Sequence, residues 1–185
     1  MGYILKPLEA LGVSGLRMTT GDGAVHSCHP IFAIYIGDYP EQVLVAAVKT
    51  GECPSCPVPR TELGDPDSVG DPRELGPILE ALDAVLQGPT AFTNACRNAG
   101  IKPVQLPFWK NLPFVNIYRS ITPDVLHQLY QGIVKHLIGW VRSICGSAEI
   151  DARCRRLPPN HNIRLFTKGI SNLSRVTGTE HDQIC

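Results

Sequence analysis

The longest stretch in which hydrophobic and polar positions keep one period throughout is Ser120–Trp140. Val125, Leu126, Leu129, Tyr130, Ile133, Val134, Leu137 and Ile138 recur at three- and four-residue steps, with a polar edge at Gln128, Gln131 and Lys135. The spacing predicts an amphipathic core helix. Thr122 suits its N-cap, Pro123 its first helical position, and Asp124 the positive end of the helix dipole. Asp124 and His127, one turn apart, project in similar directions and can converge on a metal, a proton or each other.

Upstream, Leu5, Leu8, Leu11 and Leu16 suggest a short helix, broken by Gly12, Gly15, Gly21 and Gly23 into a loop. Ile31–Ile36, β-branched and aromatic between Pro30 and Gly37, reads as a strand buried on both faces. Asp38 ends it, and Glu41–Thr50 reads as a helix packing back through Val43, Leu44, Ala46, Ala47 and Val48. A tract from 57 to 77 is too rich in Pro, Gly and Asp for regular structure. Helical periodicity resumes over Pro77–Gln87 and Ala91–Ala99. The apolar Leu106–Trp109 and Leu112–Val115 are expected to pack beneath the Ser120–Trp140 helix, since so large a bare patch is unfavourable in water. A last helical pattern starts at Thr179 and reaches Cys185 without a cap, which reads as a truncated sequence.

Composition narrows the class. With 185 residues, 43% of them hydrophobic, the chain can bury one sizeable core. It shows neither a membrane-spanning run nor a signal-peptide pattern, so it is expected to be soluble, intracellular and not secreted. Seven cysteines without an export signal favour metal ligation and free thiols over a disulfide framework. Net charge is zero, yet residues 1–100 hold six Lys/Arg against twelve Asp/Glu, and residues 101–185 hold eleven against five. The halves therefore carry −6 and +6, compatible with a DNA-facing second half or with mutual attraction of the halves.

Three groups of residues have chemistry to offer. Cys53 and Cys56 form a C-x-x-C knuckle, the spacing at which two thiolates hold one Zn²⁺ from a tight turn. The other two ligands are sought among Asp124 with His127, Cys154 with His161, or His26, Cys28 and His29. A redox dithiol or an inert pair is the alternative. A zinc deaminase is excluded, because Glu52 stands where its signature needs proline and no H-x-E precedes it. Asp38, at the carboxyl end of an apolar strand, can bind Mg²⁺ for phosphoryl chemistry or simply close a turn. Arg153, Arg155, Arg156, Arg164, Lys168 and Arg175 can contact a phosphate backbone or form a solvated basic face.

Several of these stretches together resemble the Plavaka-type transposases of fungi, relatives of the CACTA-like cut-and-paste elements. They are Gly37-Asp-Tyr-Pro-Glu-Gln42, Cys53-Pro-Ser-Cys56, Ser120-Ile-Thr-Pro-Asp-Val-Leu-His127, Ile150-Asp-Ala-Arg-Cys-Arg-Arg-Leu-Pro-Pro-Asn-His161 and Gly169-Ile-Ser-Asn-Leu-Ser-Arg175.

The resemblance implies an α/β, mostly helical chain: a partial RNase H-like core, containing the strand Ile31–Ile36, interrupted by an α-helical insertion. Residues 1–56 would be the core segment with its knuckle, 57–77 the loop, and 78–185 the insertion. It further implies DDE chemistry, in which three carboxylates hold two Mg²⁺ ions at a scissile phosphodiester. Asp38 matches the second of them, and Asp124-x-x-His127 matches a D-x-x-H signature. The first acid is expected upstream of Met1 and the last beyond Cys185, so the chain alone is expected to be inactive. The implied setting is nuclear, with transposon-end DNA as partner and structural Zn²⁺ at the knuckle. A non-enzymatic, zinc-stabilised module that binds DNA or a protein is the alternative.

Overall fold

A computed structural model describes residues 2–68, 70–174 and 176–184. The chain is α/β, about 47% helical with few short strands. It forms two compact units, one up to Thr122 and the other from Pro123 onward.

The first unit opens with helices α1 (Gly2–Leu5) and α2 (Pro7–Ser14). An antiparallel hairpin of β1 (Leu16–Thr19) and β2 (Val25–Cys28) follows, with Leu16 opposite Cys28. The glycine-rich sequence predicts a loop here. Gly21 and Gly23 belong instead to the hairpin turn, where Asp22 accepts from the Ala24 amide and Gly23 takes a positive φ. The strand faces are exposed, so hydrophobic alternation was too weak to reveal them.

The strand expected over Ile31–Ile36 is shorter and shifted: β3 spans Tyr35–Gly37 and pairs with β4 (Ile121–Pro123). Nor is it buried on both faces, since Ile31, Ile34 and Ile36 are all exposed. Helix α3 (Tyr39–Val45) stops five residues before the expected Thr50, and Leu44 faces solvent. The chain turns at Ala47, whose φ is 56°. Three carbonyls at this turn are satisfied from distant segments. Val45 accepts from Trp109 Nε1 at 2.7 Å, Ala46 from Tyr118 Oη at 3.1 Å, and Ala47 from the Lys102 amide at 2.6 Å. Paired buried carbonyls of this kind fix a loop as firmly as a helix would.

Helices α4 (Leu75–Asp83) and α5 (Pro89–Asn98) supply Ile78, Leu82, Phe92 and Cys96 to one core with Val43, Val48, Trp109 and Tyr118. Trp109 and Tyr118 meet edge to face, 6.0 Å between ring centroids. Trp109, Leu112 and Val115 pack into this first core, and Phe114 is exposed. Short helix α6 (Ile117–Ser120) then leads into β4.

In the second unit, Val125–Val134 is a π-helix that continues into α7 (Lys135–Cys145), followed by α8 (Ser147–Arg155) and α9 (Gly178–Ile184). Here too the expected start is corrected. Thr122 and Pro123 lie in β4, and Asp124 is the N-cap, its Oδ1 accepting from the His127 and Gln128 amides. The Lys135 amide donates to Tyr130 O, five residues back. That wider turn takes the first half of the segment out of the three- and four-residue register on which a single apolar stripe depends. No residue of 125–145 is buried, and Leu129, Ile133 and Leu137 are exposed, so this is not the core helix its pattern predicts.

Candidate functional site

Asp38 directly follows β3 and caps α3, its Oδ1 accepting from the Glu41 amide at 2.9 Å. Pro40 and Glu41 complete the helix start, and the carboxylates of Asp38 and Glu41 lie at the positive end of its dipole. From the buried face of α3, Gln42 Nε2 donates to Gly37 O at 2.7 Å and to Thr122 O at 3.1 Å. One amide thus ties the end of β3 to β4, and Asp38 starts from a fixed backbone.

Tyr39 connects this corner to the knuckle. Its hydroxyl donates to Glu52 O at 3.0 Å and accepts from the Gly51 amide at 2.7 Å. Cys53 and Cys56 then close a tight turn in which the Cys56 amide donates to Cys53 Sγ at 3.3 Å. The two thiols differ. Burial pushes the Cys53 thiol up, but hydrogen bonds from the Cys56 side chain and from the Cys56 and Ser55 amides, with the Arg73 charge nearby, hold it below the ordinary cysteine range. Burial, and then the Cys53 side chain, push Cys56 up.

Arg73 is the residue that sequence reasoning missed. It lies in the tract expected to be irregular, yet its side chain is 7% exposed. Its amide donates to Ser55 O at 2.8 Å, its guanidinium to Cys53 O at 3.3 Å, and Glu52 Oε2 stands 3.6 Å away. The loop is pinned to the knuckle by this one cation. Gly70 helps to close it, because a Cβ there would lie 2.6 Å from Val58 and 3.3 Å from Cys56. A lone arginine in an acidic, breaker-rich stretch carries no periodic signal.

Two thiols on one turn fit half of a tetrahedral zinc site. Among the described residues, however, no group of three or more His, Cys, Asp and Glu side chains is close enough to hold a metal ion. Asp124 and His127 do come together, but on each other: His127 Nδ1 and Asp124 Oδ2 are 2.6 Å apart. Burial works against the Asp124 charge, yet the His127 side chain and the His127 and Gln128 amides hold its carboxyl below the usual range. Nor do the alternative ligands form such a group among the described residues. His29 Nδ1 contacts Gly12 O at 3.1 Å, His26 is exposed on β2, and His161 is exposed after α8. A single carboxylate at Asp38 likewise falls short of what two metal ions require.

The basic residues divide by partner. Arg153 binds Glu149 at 2.8 Å, Arg156 stands 3.7 Å from the same carboxylate, and Arg164 pairs with Glu180 while lying over the Phe166 ring. Arg155 and Lys168 are exposed. Arg175 lies outside the described residues.

Residues 1–141 match a family model of transposases. That family is the Plavaka transposase family, and the chain belongs to it. No curated protein and no solved structure is similar enough to match. Among the described residues, no helix is long and apolar enough to cross a membrane.

Proposed function

We propose that the chain is part of the catalytic portion of a nuclear cut-and-paste DNA transposase with an RNase H-like core. In the complete enzyme Asp38 would be one of three carboxylates serving phosphodiester hydrolysis and strand transfer at transposon ends. The observation that carries this reading is the family match over residues 1–141, which includes Asp38 and the knuckle.

When bound, Mg²⁺ would activate the attacking water or 3′-hydroxyl and stabilise the leaving oxygen. This chain's own contribution is positional. The Glu41 amide orients the Asp38 carboxylate, while Gln42 and Tyr39 fix the backbone on either side of that helix start. With one carboxylate of three, the chain alone does not cleave DNA. Cys53 and Cys56 would supply two of the four donors of a structural zinc, a staple between α3 and the Arg73 loop.

The basic residues after α7 would contact phosphates. Retention of the purified chain on duplex DNA tests this. With about four phosphate contacts, affinity should fall about a hundredfold between 50 and 200 mM salt. Replacing Arg153, Arg155 and Arg156 with Ala should weaken retention further. Absence of retention at low salt would contradict the DNA-binding part.

The second reading is a non-enzymatic, zinc-stabilised DNA- or protein-binding module. The pinned C-x-x-C turn favours it, since that turn is built whether or not Asp38 serves a reaction.

A further inference from the structure

The second unit contains a cavity of about 590 Å³, within the range that small-molecule ligands occupy. One wall carries Gln131 from the π-helix and, from α7, Lys135, Ile138 and Arg142, which recur at three- and four-residue steps. The rest of the lining is mostly apolar and includes Leu173 and Ile184. The described lining contains two cations and no carboxylate. Lys135 and Arg142 are two turns apart, about 10 Å along the helix.

Arg142 is held in place. Its guanidinium donates to Ile170 O at 2.7 Å, and that turn is fixed by Asp151, which accepts from the Ile170 and Ser171 amides at 2.8 and 2.9 Å. Asp151 also binds the Ser171 hydroxyl, so although it is the acid facing Arg142, it is already occupied by three donors. Arg142 Nε is buried and finds no acceptor among the described residues. The hydrogen-bond partner of the guanidinium is the neutral Ile170 carbonyl, so its charge is only partly balanced, and an anion in the cavity would complement it.

We propose that this cavity binds a nucleotide, with its phosphate on Lys135 and Arg142 and its base against Ile138, Leu173 and Ile184. Apolar walls take the flat face of a base, two cations take a phosphate, and the Gln131 amide offers both a donor and an acceptor to a base edge. The choice of a nucleotide among amphipathic anions rests on the reading of the chain as a DNA-handling protein. The nucleotide is either free or one unit of a strand, and both present the same chemistry.

The test uses the whole chain with methyl-labelled Ile, Leu and Val. Titration with thymidine 5′-monophosphate should shift the Ile138, Leu173 and Ile184 methyl signals. Lys135→Glu, on an exposed side chain, should weaken binding at least tenfold. Arg142→Lys, which keeps the charge but loses the fork, should weaken it severalfold. If inorganic phosphate binds as tightly as the nucleotide, or if those methyl signals do not move, the proposal is overturned.

A ten-residue oligothymidylate separates the two sources and the two claims. Binding of the oligomer that is tighter than that of the mononucleotide and lost in Lys135→Glu places a strand in the cavity. Equal or weaker binding of the oligomer leaves the free nucleotide as ligand. Oligomer binding that is lost only on replacing Arg155 and Arg156 overturns the cavity assignment and keeps the DNA reading. Mononucleotide binding without any DNA binding keeps the cavity and removes the DNA reading.

Discussion

The Arg73 guanidinium, 7% exposed, donates to the Cys53 carbonyl at 3.3 Å. A loop residue twenty positions downstream thereby sets the backbone of the thiol pair. Because Arg73 lies among loop breakers and Cys53 opens a turn, neither local pattern announces the other.

Removing Arg73 should loosen both. Arg73→Ala loses buried side-chain packing and leaves Cys53 O without its donor, a destabilisation of about 2 kcal/mol or more, readable by urea unfolding. The same substitution removes one of the influences lowering the Cys53 thiol. In chelator-treated protein, the pH midpoint of Cys53 alkylation should move upward. An unchanged midpoint with reduced stability would leave Arg73 a purely structural role.

Gln42 should matter well beyond one hydrogen bond. Buried to 3% exposure, it serves the carbonyls of Gly37 and Thr122 together. Gln42→Leu preserves bulk but orphans two carbonyls, at a cost of roughly 2–4 kcal/mol if neither finds water. Amide protection at β3 and β4 should fall first, and hydrogen exchange measures it.

Acid should loosen the turn after Phe166. The Ser171 hydroxyl and the Ser171 and Ile170 amides hold the Asp151 carboxyl below its ordinary range. A depressed carboxyl contributes stability that is complete above the ordinary carboxylate value and disappears as pH falls through the lowered one. The Ile170 and Ser171 amide shifts should therefore titrate below pH about 4, and Asp151→Asn should abolish the titration. Gly169→Ala should disrupt the same turn at every pH. Gly169 has a φ of 82°, and an added Cβ would collide with Asp151.

Legibility differed by element and for physical reasons. The helices through Ile78–Leu82 and Phe92–Cys96 follow local rules, and the pattern locates them, whereas it starts the next-upstream helix at Glu41 and overlooks Asp38 as its cap. The β1–β2 hairpin was missed because exposed strands carry no hydrophobic alternation, and only the Asp22-Gly23 turn marked it. Ser120–Trp140 misled more deeply. Its periodicity assumes i+4 hydrogen bonding, but the backbone widens to i+5 and leaves Leu129 and Ile133 in solvent. At the candidate site, spacing located the C-x-x-C pair and the Asp124–His127 pair. Arg73, Gln42 and Tyr39, which hold the knuckle and the Asp38 corner in place, act across the fold and leave no trace in spacing.

As proposed above, Asp38 would be one of the three carboxylates of a metal-dependent nuclease. Nicking of supercoiled plasmid by the purified chain in Mg²⁺ or Mn²⁺, with Asp38→Ala alongside, tests it most directly. No cleavage above background is expected from either protein. Robust metal-dependent nicking by the wild-type chain, lost in Asp38→Ala, would contradict it.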